Sequence, residues 1–184
     1  MNISNTPLAD LLLIEPKIWE DKRGYFYESY SAKAFATAGV DVNFVQDNQS
    51  FSQKGILRGL HAQVEPFAQG KLVRVIQGSV LDVAVDARKS SPTYGQSYSV
   101  VLSGENHKQL WLPAGFLHGF LTLEDNTIFT YKVTNYYDKN SEVGVLWNDP
   151  ELNINWGEDI DPKDFILSDK DIVLPAFKDF NNPF

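Results

Sequence analysis

Apolar and polar residues alternate through most of the middle of the chain, and this two-residue period limits the fold more than any other feature. A side chain that recurs at every second position faces one side of a strand; a helix would repeat every third or fourth. The segments Lys71–Gln77 (KLVRVIQ) and Ser79–Ala87 (SVLDVAVDA) show the period most clearly, the second from Val80 onward. Gln96–Ser103, Lys108–Pro113, His118–Glu124 and Thr127–Thr134 follow, and the gaps RKSSPTYG, SGEN, PAG and EDN hold turn residues. Earlier, YFYES and NFVQDNQS also read as strands. Gly78, between the first two runs, reads as a hairpin or bulge position. Only Ser31–Gly39 (SAKAFATAG) carries helix marks, a serine at the N-cap and a glycine at the far end. Short strands so closely spaced predict an all-β sandwich or barrel with little helix.

At 184 residues and 43% hydrophobic content the chain suits one domain, residues 1–184, with a real core. The stretch after Trp156 is mixed and acidic and is expected to wrap the surface. The chain has no cysteine, which removes disulfides, thiolate metal sites and thiol nucleophiles. A net charge of −8 argues against nucleic acid and anionic membranes as partners, while leaving room for a local basic cavity that takes phosphates. The start, MNISNTPLADLLLIEPK, lacks a basic leader, and no apolar run is long enough for a bilayer. The expectation is a soluble cytoplasmic protein.

No glycine-rich dinucleotide loop is present, and Glu65 stands where a P-loop ending in Gly70–Lys71 needs its first glycine. The segment PAGFLH is more informative. Pro113, Gly115 and His118 give P-x-G-x-x-H, which resembles the second half of the cupin signature, a jelly-roll pattern. His61, Gln63, Lys71 and Gly78 occupy the stations of its first half, with six residues between Lys71 and Gly78 as the pattern requires and a longer gap before Lys71. A metal-binding cupin would place two histidines and a glutamate at the first three stations. Here Gln63 and Lys71 replace one histidine and the carboxylate. An ammonium only donates and repels a cation, so this set is expected to bind no metal. The reading is a cavity in which Lys71 supplies the positive charge and stabilises a developing oxyanion.

His61 is then the natural general base, because imidazole titrates near neutrality. A base beside a fixed cation suits removal of a proton next to a carbonyl. Tyr131 can return a proton, or it is a packing tyrosine; Lys71 can be a solvated strand-start residue; His118 can be structural. By parity Lys71, Val73, Val75 and Gln77 share a face. Arg58 lies three positions before His61, so a regular strand sends the two to opposite faces unless Gly59 permits a bulge.

Beyond the cupin spacing, the chain resembles dTDP-4-dehydrorhamnose 3,5-epimerases over nearly its whole length. The resemblance rests on IEPKIWEDKRGYFYESY, FVQDNQS, LRGLHAQ, QGKLVRVIQGSVLDVAVDARKSSPTYG, QLWLPAGFLHGFLTL, YKVTNYYDKNSEVGVLWNDPEL and LSDKD, in that order. It implies a cupin-type jelly-roll homodimer without cofactor or metal, acting on a dTDP-linked 4-keto-6-deoxy sugar at the two carbons beside the ketone. It also implies roles. His61 resembles the base, Asp171 of LSDKD the carboxylate that orients it, with Asp169 as the rejected rival, Lys71 the enolate stabiliser and Tyr131 the acid. Arg58 and Lys170 resemble phosphate and substrate contacts, Tyr137 a stacking surface for thymine, and His118 and Glu142 further ligand contacts. Arg23, Glu28, Gln46 and Asn48 match nucleotide contacts, partly across the dimer. Two departures are Ala62, where the family often has an aromatic, and Gln49, where many members have histidine; the room left by Ala62 is expected to affect sugar fit. The alternatives are a single-centre epimerase, a 3,4-ketoisomerase, a metal-dependent cupin oxygenase and a non-catalytic sugar-binding cupin.

Overall fold

The alternating segments become strands in a computed structural model that describes residues 1–184. The first half contains β1 (Asn2–Asn5), β2 (Leu12–Glu15), β3 (Trp19–Asp21), β4 (Gly24–Phe26), helix α1 (Ala32–Thr37), β5 (Gln46–Ser52), β6 (Leu57–Gln63) and β7 (Lys71–Gln77). The second contains β8 (Ser79–Asp86), β9 (Ser97–Ser103), β10 (Gln109–Leu112), β11 (Phe116–Thr122), β12 (Thr127–Val133) and β13 (Glu142–Gly144), followed by three short 3₁₀ turns. A six-stranded sheet runs β1-β2-β10-β7-β12-β5, and a five-stranded sheet runs β13-β6-β11-β8-β9. Every pairing within them is antiparallel. Strands adjacent in a sheet are mostly distant in the chain, which is the jelly-roll arrangement and the all-β class the alternation predicts.

Gly78 departs from the hairpin expectation. The strands on either side of it do not form a hairpin, because both edges of β7 are taken by β10 and β12. The chain instead crosses at Gly78, with φ +75, from one sheet to the other. A side chain at this corner would collide with Thr127, its Cβ lying 2.2 Å from the threonine hydroxyl.

Three apolar layers follow from strand parity. Val73, Val75, Val80, Ala84, Leu110 and Phe129 fill the space between the sheets. Leu57, Leu60, Ala62, Val83 and Val85 point out of the five-stranded sheet and are covered by Leu152, Trp156, Phe165 and Phe177 of the C-terminal stretch. Each such side chain removed from water contributes about 1.5–3 kcal/mol, so this stretch is anchored by its own core residues. On the six-stranded sheet Leu72 and Trp111 pack with Phe35 of α1, a helix opened by Ser31, whose hydroxyl accepts from the Ala34 amide. β3 and β4 pair only with each other. No helix is long and apolar enough to cross a membrane.

Candidate active site

The register of β6 against β11 decides which side chains reach the interior. His61 lies opposite His118 but Arg58 lies opposite Phe120, so β6 carries one extra residue in between. This bulge reverses the parity, and Arg58 and His61, three positions apart, line the same cavity. Gly59 makes it possible. Its φ is +115, and a Cβ there would sit 2.5 Å from the Gly119 Cα. Leu60 and Ala62 face the opposite side. Ala62 therefore leaves no room beside a ligand, and its expected effect on sugar fit is corrected: its methyl is buried beneath the C-terminal stretch.

The cavity, about 440 Å³, opens between the sheets at the level of β6, β7, β11 and β12. Arg58, His61, Lys71, His118 and Tyr131 contribute polar groups, and Phe120 and Phe129 form an apolar wall. Lys170 and Asp171 arrive from the C-terminal stretch. His61 Nε2 lies 2.6 Å from Asp171 Oδ1. An ionised carboxylate only accepts, so Nε2 carries the proton and Nδ1 keeps its lone pair. Asp171 is 3% exposed, whereas Asp169 is exposed. Burial alone would raise the pKa of Asp171, but the hydrogen bond and charge of His61, the Ser168 hydroxyl and Lys170 outweigh it and hold the carboxyl below its ordinary value. On the other side of the imidazole, Glu142 Oε1 lies 3.9 Å from Nδ1. Glu142 also pairs with Lys170 and accepts from the Tyr137 hydroxyl at 3.1 Å. Its pKa too is lowered, with burial opposing and Lys170 leading the groups that favour the charge.

Lys71 begins β7 on the face shared with Val73 and Val75, inside the sandwich. Burial depresses its pKa from 10.5 to about 8, with Glu142 and Asp82 acting against the shift. Asp82 was not anticipated. It is fully buried on β8 and takes His118 Nε2 at 3.0 and 3.1 Å. The signal lay in the alternation, since Asp82 shares parity with Val80 and Ala84 and is a carboxylate on a core-facing row. The Tyr131 hydroxyl has a raised pKa, chiefly from burial, with Arg58 opposing and Glu142 and Tyr137 assisting. The phenol is therefore protonated at neutral pH.

The remaining candidates lie outside this cluster. Gln63, at the second histidine station, is 5% exposed; its Nε2 donates to the carbonyls of Phe67 and Tyr136, and its Oε1 accepts from the Asp138 amide. It shapes the turn that carries Tyr137, which stands 58% exposed at the rim. Gln46 donates to Asn48 on β5, and Asn48 borders a second cleft with Arg74 and Lys132. Arg23 is exposed at the tip of the β3–β4 arm, paired with Asp21. Glu28 borders a surface cleft with Met1 and Ser31. Neither reaches the cavity of its own chain. No group of three or more His, Cys, Asp or Glu side chains is placed to hold a metal ion.

Fold and site together define a class: a cupin-type jelly roll whose cavity is furnished for acid–base chemistry, with a lysine at the carboxylate station. The family profile described as dTDP-4-dehydrorhamnose 3,5-epimerase matches residues 5–179. The dTDP-4-dehydrorhamnose 3,5-epimerase of Shigella flexneri is 53% identical over 180 residues, 97% of each chain. A crystal structure of the Elizabethkingia anophelis enzyme of that name superposes with a TM-score of 0.93 at 49% identity, covering 99% of this chain and 98% of that one. The Legionella pneumophila dTDP-6-deoxy-D-glucose-3,5-epimerase, solved in complex with dTDP-4-keto-L-rhamnose, gives a TM-score of 0.89 at 49% identity, over 96% and 93% of the two chains. The chain belongs to the dTDP-4-dehydrorhamnose 3,5-epimerase family.

Proposed function

We propose that this chain inverts C3 and C5 of dTDP-linked 4-keto-6-deoxy-glucose, giving dTDP-4-keto-L-rhamnose, by proton transfer alone and without a cofactor. The observation that carries the reading is the convergence on one cavity of an imidazole held 2.6 Å from a buried carboxylate, a half-buried ammonium and a protonated phenol. The ketone at C4 acidifies the hydrogens on both neighbouring carbons. His61 Nδ1 removes one of them, and the electron pair moves onto the ketone oxygen. Lys71 stabilises that charge where water is scarce. Asp171 stabilises the imidazolium and fixes the tautomer. Tyr131 donates a proton to the opposite face, which inverts the centre. Recovery of the proton from His61 through solvent resets the pair, and the same cycle serves the second carbon.

Arg58, with Arg23 from a neighbouring copy, suits the diphosphate, which explains how an acidic chain takes an acidic ligand: the favourable field is local. Lys170 is a substrate contact. Tyr137 stacks on the thymine, Gln46 and Asn48 contact the nucleotide, and His118 and Glu142 meet the sugar. Arg23 and Glu28 serve a neighbouring copy, since their own cavity is out of reach. The exposed Trp19, Tyr25 and Phe26 on the arm support a homodimer in which the N-terminal strands take part. The whole chain works as one domain in the cytoplasm.

Proton NMR of the reaction in deuterated water tests the function. Deuterium is expected at both C3 and C5 of an L-configured product. Label at one carbon only would mean a single-centre epimerase, and a displaced ketone a ketoisomerase. In Tyr131→Phe, solvent deuterium is expected to wash in while inversion becomes faulty; a wild-type product would remove Tyr131 from the mechanism.

Lys71 also sets a pH limit. Its ammonium is intact below its pKa of about 8 and lost above it. The value of kcat/KM, which reports the free enzyme, is expected to fall about tenfold per pH unit on the alkaline side. A profile that stays flat for two units above pH 8 would contradict a catalytic ammonium.

A further inference from the structure

The β3–β4 arm joins neither large sheet, yet its root is gripped. His107, in the turn after β9, is the one histidine of three that does not line the cavity. It is 8% exposed, and its ring meets those of Tyr25 and Tyr27, with centroids at 4.8 and 5.0 Å. The Tyr27 hydroxyl accepts from Arg74 on β7 at 3.0 Å. Two residues further along, the fully buried Gln109 donates its amide to the Ser29 carbonyl at 2.9 Å. Tyr25, Tyr27 and Ser29 are thus each held, and Glu28 lies inside the held segment.

The grip is built from the body of the fold. His107 takes φ +54, a left-handed conformation, and its amide donates to the Ser103 carbonyl at 3.1 Å. Asn106 Oδ1 accepts from the amides of Ser103 and Lys108 at 3.1 and 2.9 Å. The turn that presents the ring is therefore fixed by its own hydrogen bonds and by strands on both sides.

We infer that His107, with Gln109, forms a socket that fixes the root of the arm and so places Arg23 and Glu28 against the nucleotide. His107 is a positioning residue, acting on affinity through the arm and leaving the proton-transfer groups alone. The inference rests on the reading that the arm contacts the nucleotide.

Steady-state kinetics of the full-length protein, with thermal midpoints alongside, provide the test. His107→Asn keeps a residue that tolerates the left-handed turn and removes the ring. Its KM is expected to rise about tenfold with kcat within about twofold, because only binding shared by ground and transition states is lost. His107→Phe restores an aromatic ring at some strain in the left-handed turn, and is expected to recover part of the lost affinity. Arg23→Ala is expected to raise KM as well, and adding His107→Asn to it should cost little more, since both act through one arm. If His107→Asn leaves KM unchanged while Arg23→Ala raises it, the socket is wrong and the arm reading stands. If Arg23→Ala leaves KM unchanged, the arm reading itself fails. A fall in kcat together with the thermal midpoint, unrescued by phenylalanine, would make His107 a general stability residue and overturn the inference.

Discussion

His61→Ala is expected to lower kcat/KM by about 10⁴-fold or more, at or beyond the upper end for loss of a general base. The variant loses the lone pair on Nδ1, and it leaves Asp171 as a buried carboxylate without its hydrogen-bond partner. A second imidazole, His118, lines the same cavity, but its Nε2 is held by the fully buried Asp82. The two histidines are separable by isotope exchange. If His61 serves both carbons, the variant should exchange deuterium into neither. Exchange persisting at one carbon would assign that carbon to His118, and near-normal turnover would refute the role of His61 altogether.

Lys71→Met is expected to give two effects of opposite benefit. Turnover should fall about 10²–10³-fold, the usual cost of losing one donor aimed at an oxyanion. Stability should rise. A lysine whose folded pKa lies below its unfolded value binds its proton more weakly once folded, so below pH 8 the charged ammonium opposes folding. The shift from 10.5 to about 8 corresponds to about 3 kcal/mol. Methionine keeps the length of the side chain without the charge, and the thermal midpoint at pH 7 is expected to climb by several degrees. The gain should shrink toward pH 10, where the wild-type lysine is neutral in the folded state. Unchanged activity together with an unchanged midpoint would place Lys71 outside the site.

Much of this was legible from residues alone. KLVRVIQ and TIFTYKV are strands where the alternation places them, because a period of two needs no long-range information. Ser31 and Gly39 bracket the single helix for equally local reasons. What local pattern cannot supply is the sheet a strand joins. Gly78 reads as a hairpin or bulge position because KLVRVIQ and SVLDVAVDA are adjacent in sequence; the hairpin fails because they lie in different sheets. A regular strand would part Arg58 from His61, and parity alone left open whether Gly59 permits a bulge; the extra residue in β6 brings the two together, and the close approach of Gly119 leaves no space for a side chain at Gly59. The same parity sends Ala62 away from the ligand. Asp82 was visible as a carboxylate on an apolar row, but its partner His118 stands 36 residues later, on a different strand. The resemblance supplied what spacing could not, above all the pairing of His61 with Asp171.

That pairing spans 110 residues of chain. During synthesis His61 emerges and its strand can pair long before residue 171 has been made. A product that ends before residue 171 has no partner for its imidazole, however many of its strands have formed. A polypeptide must extend past Asp171 to carry the complete dyad, so on the proposed mechanism products that end short of it would fail to turn over a sugar nucleotide however well they fold.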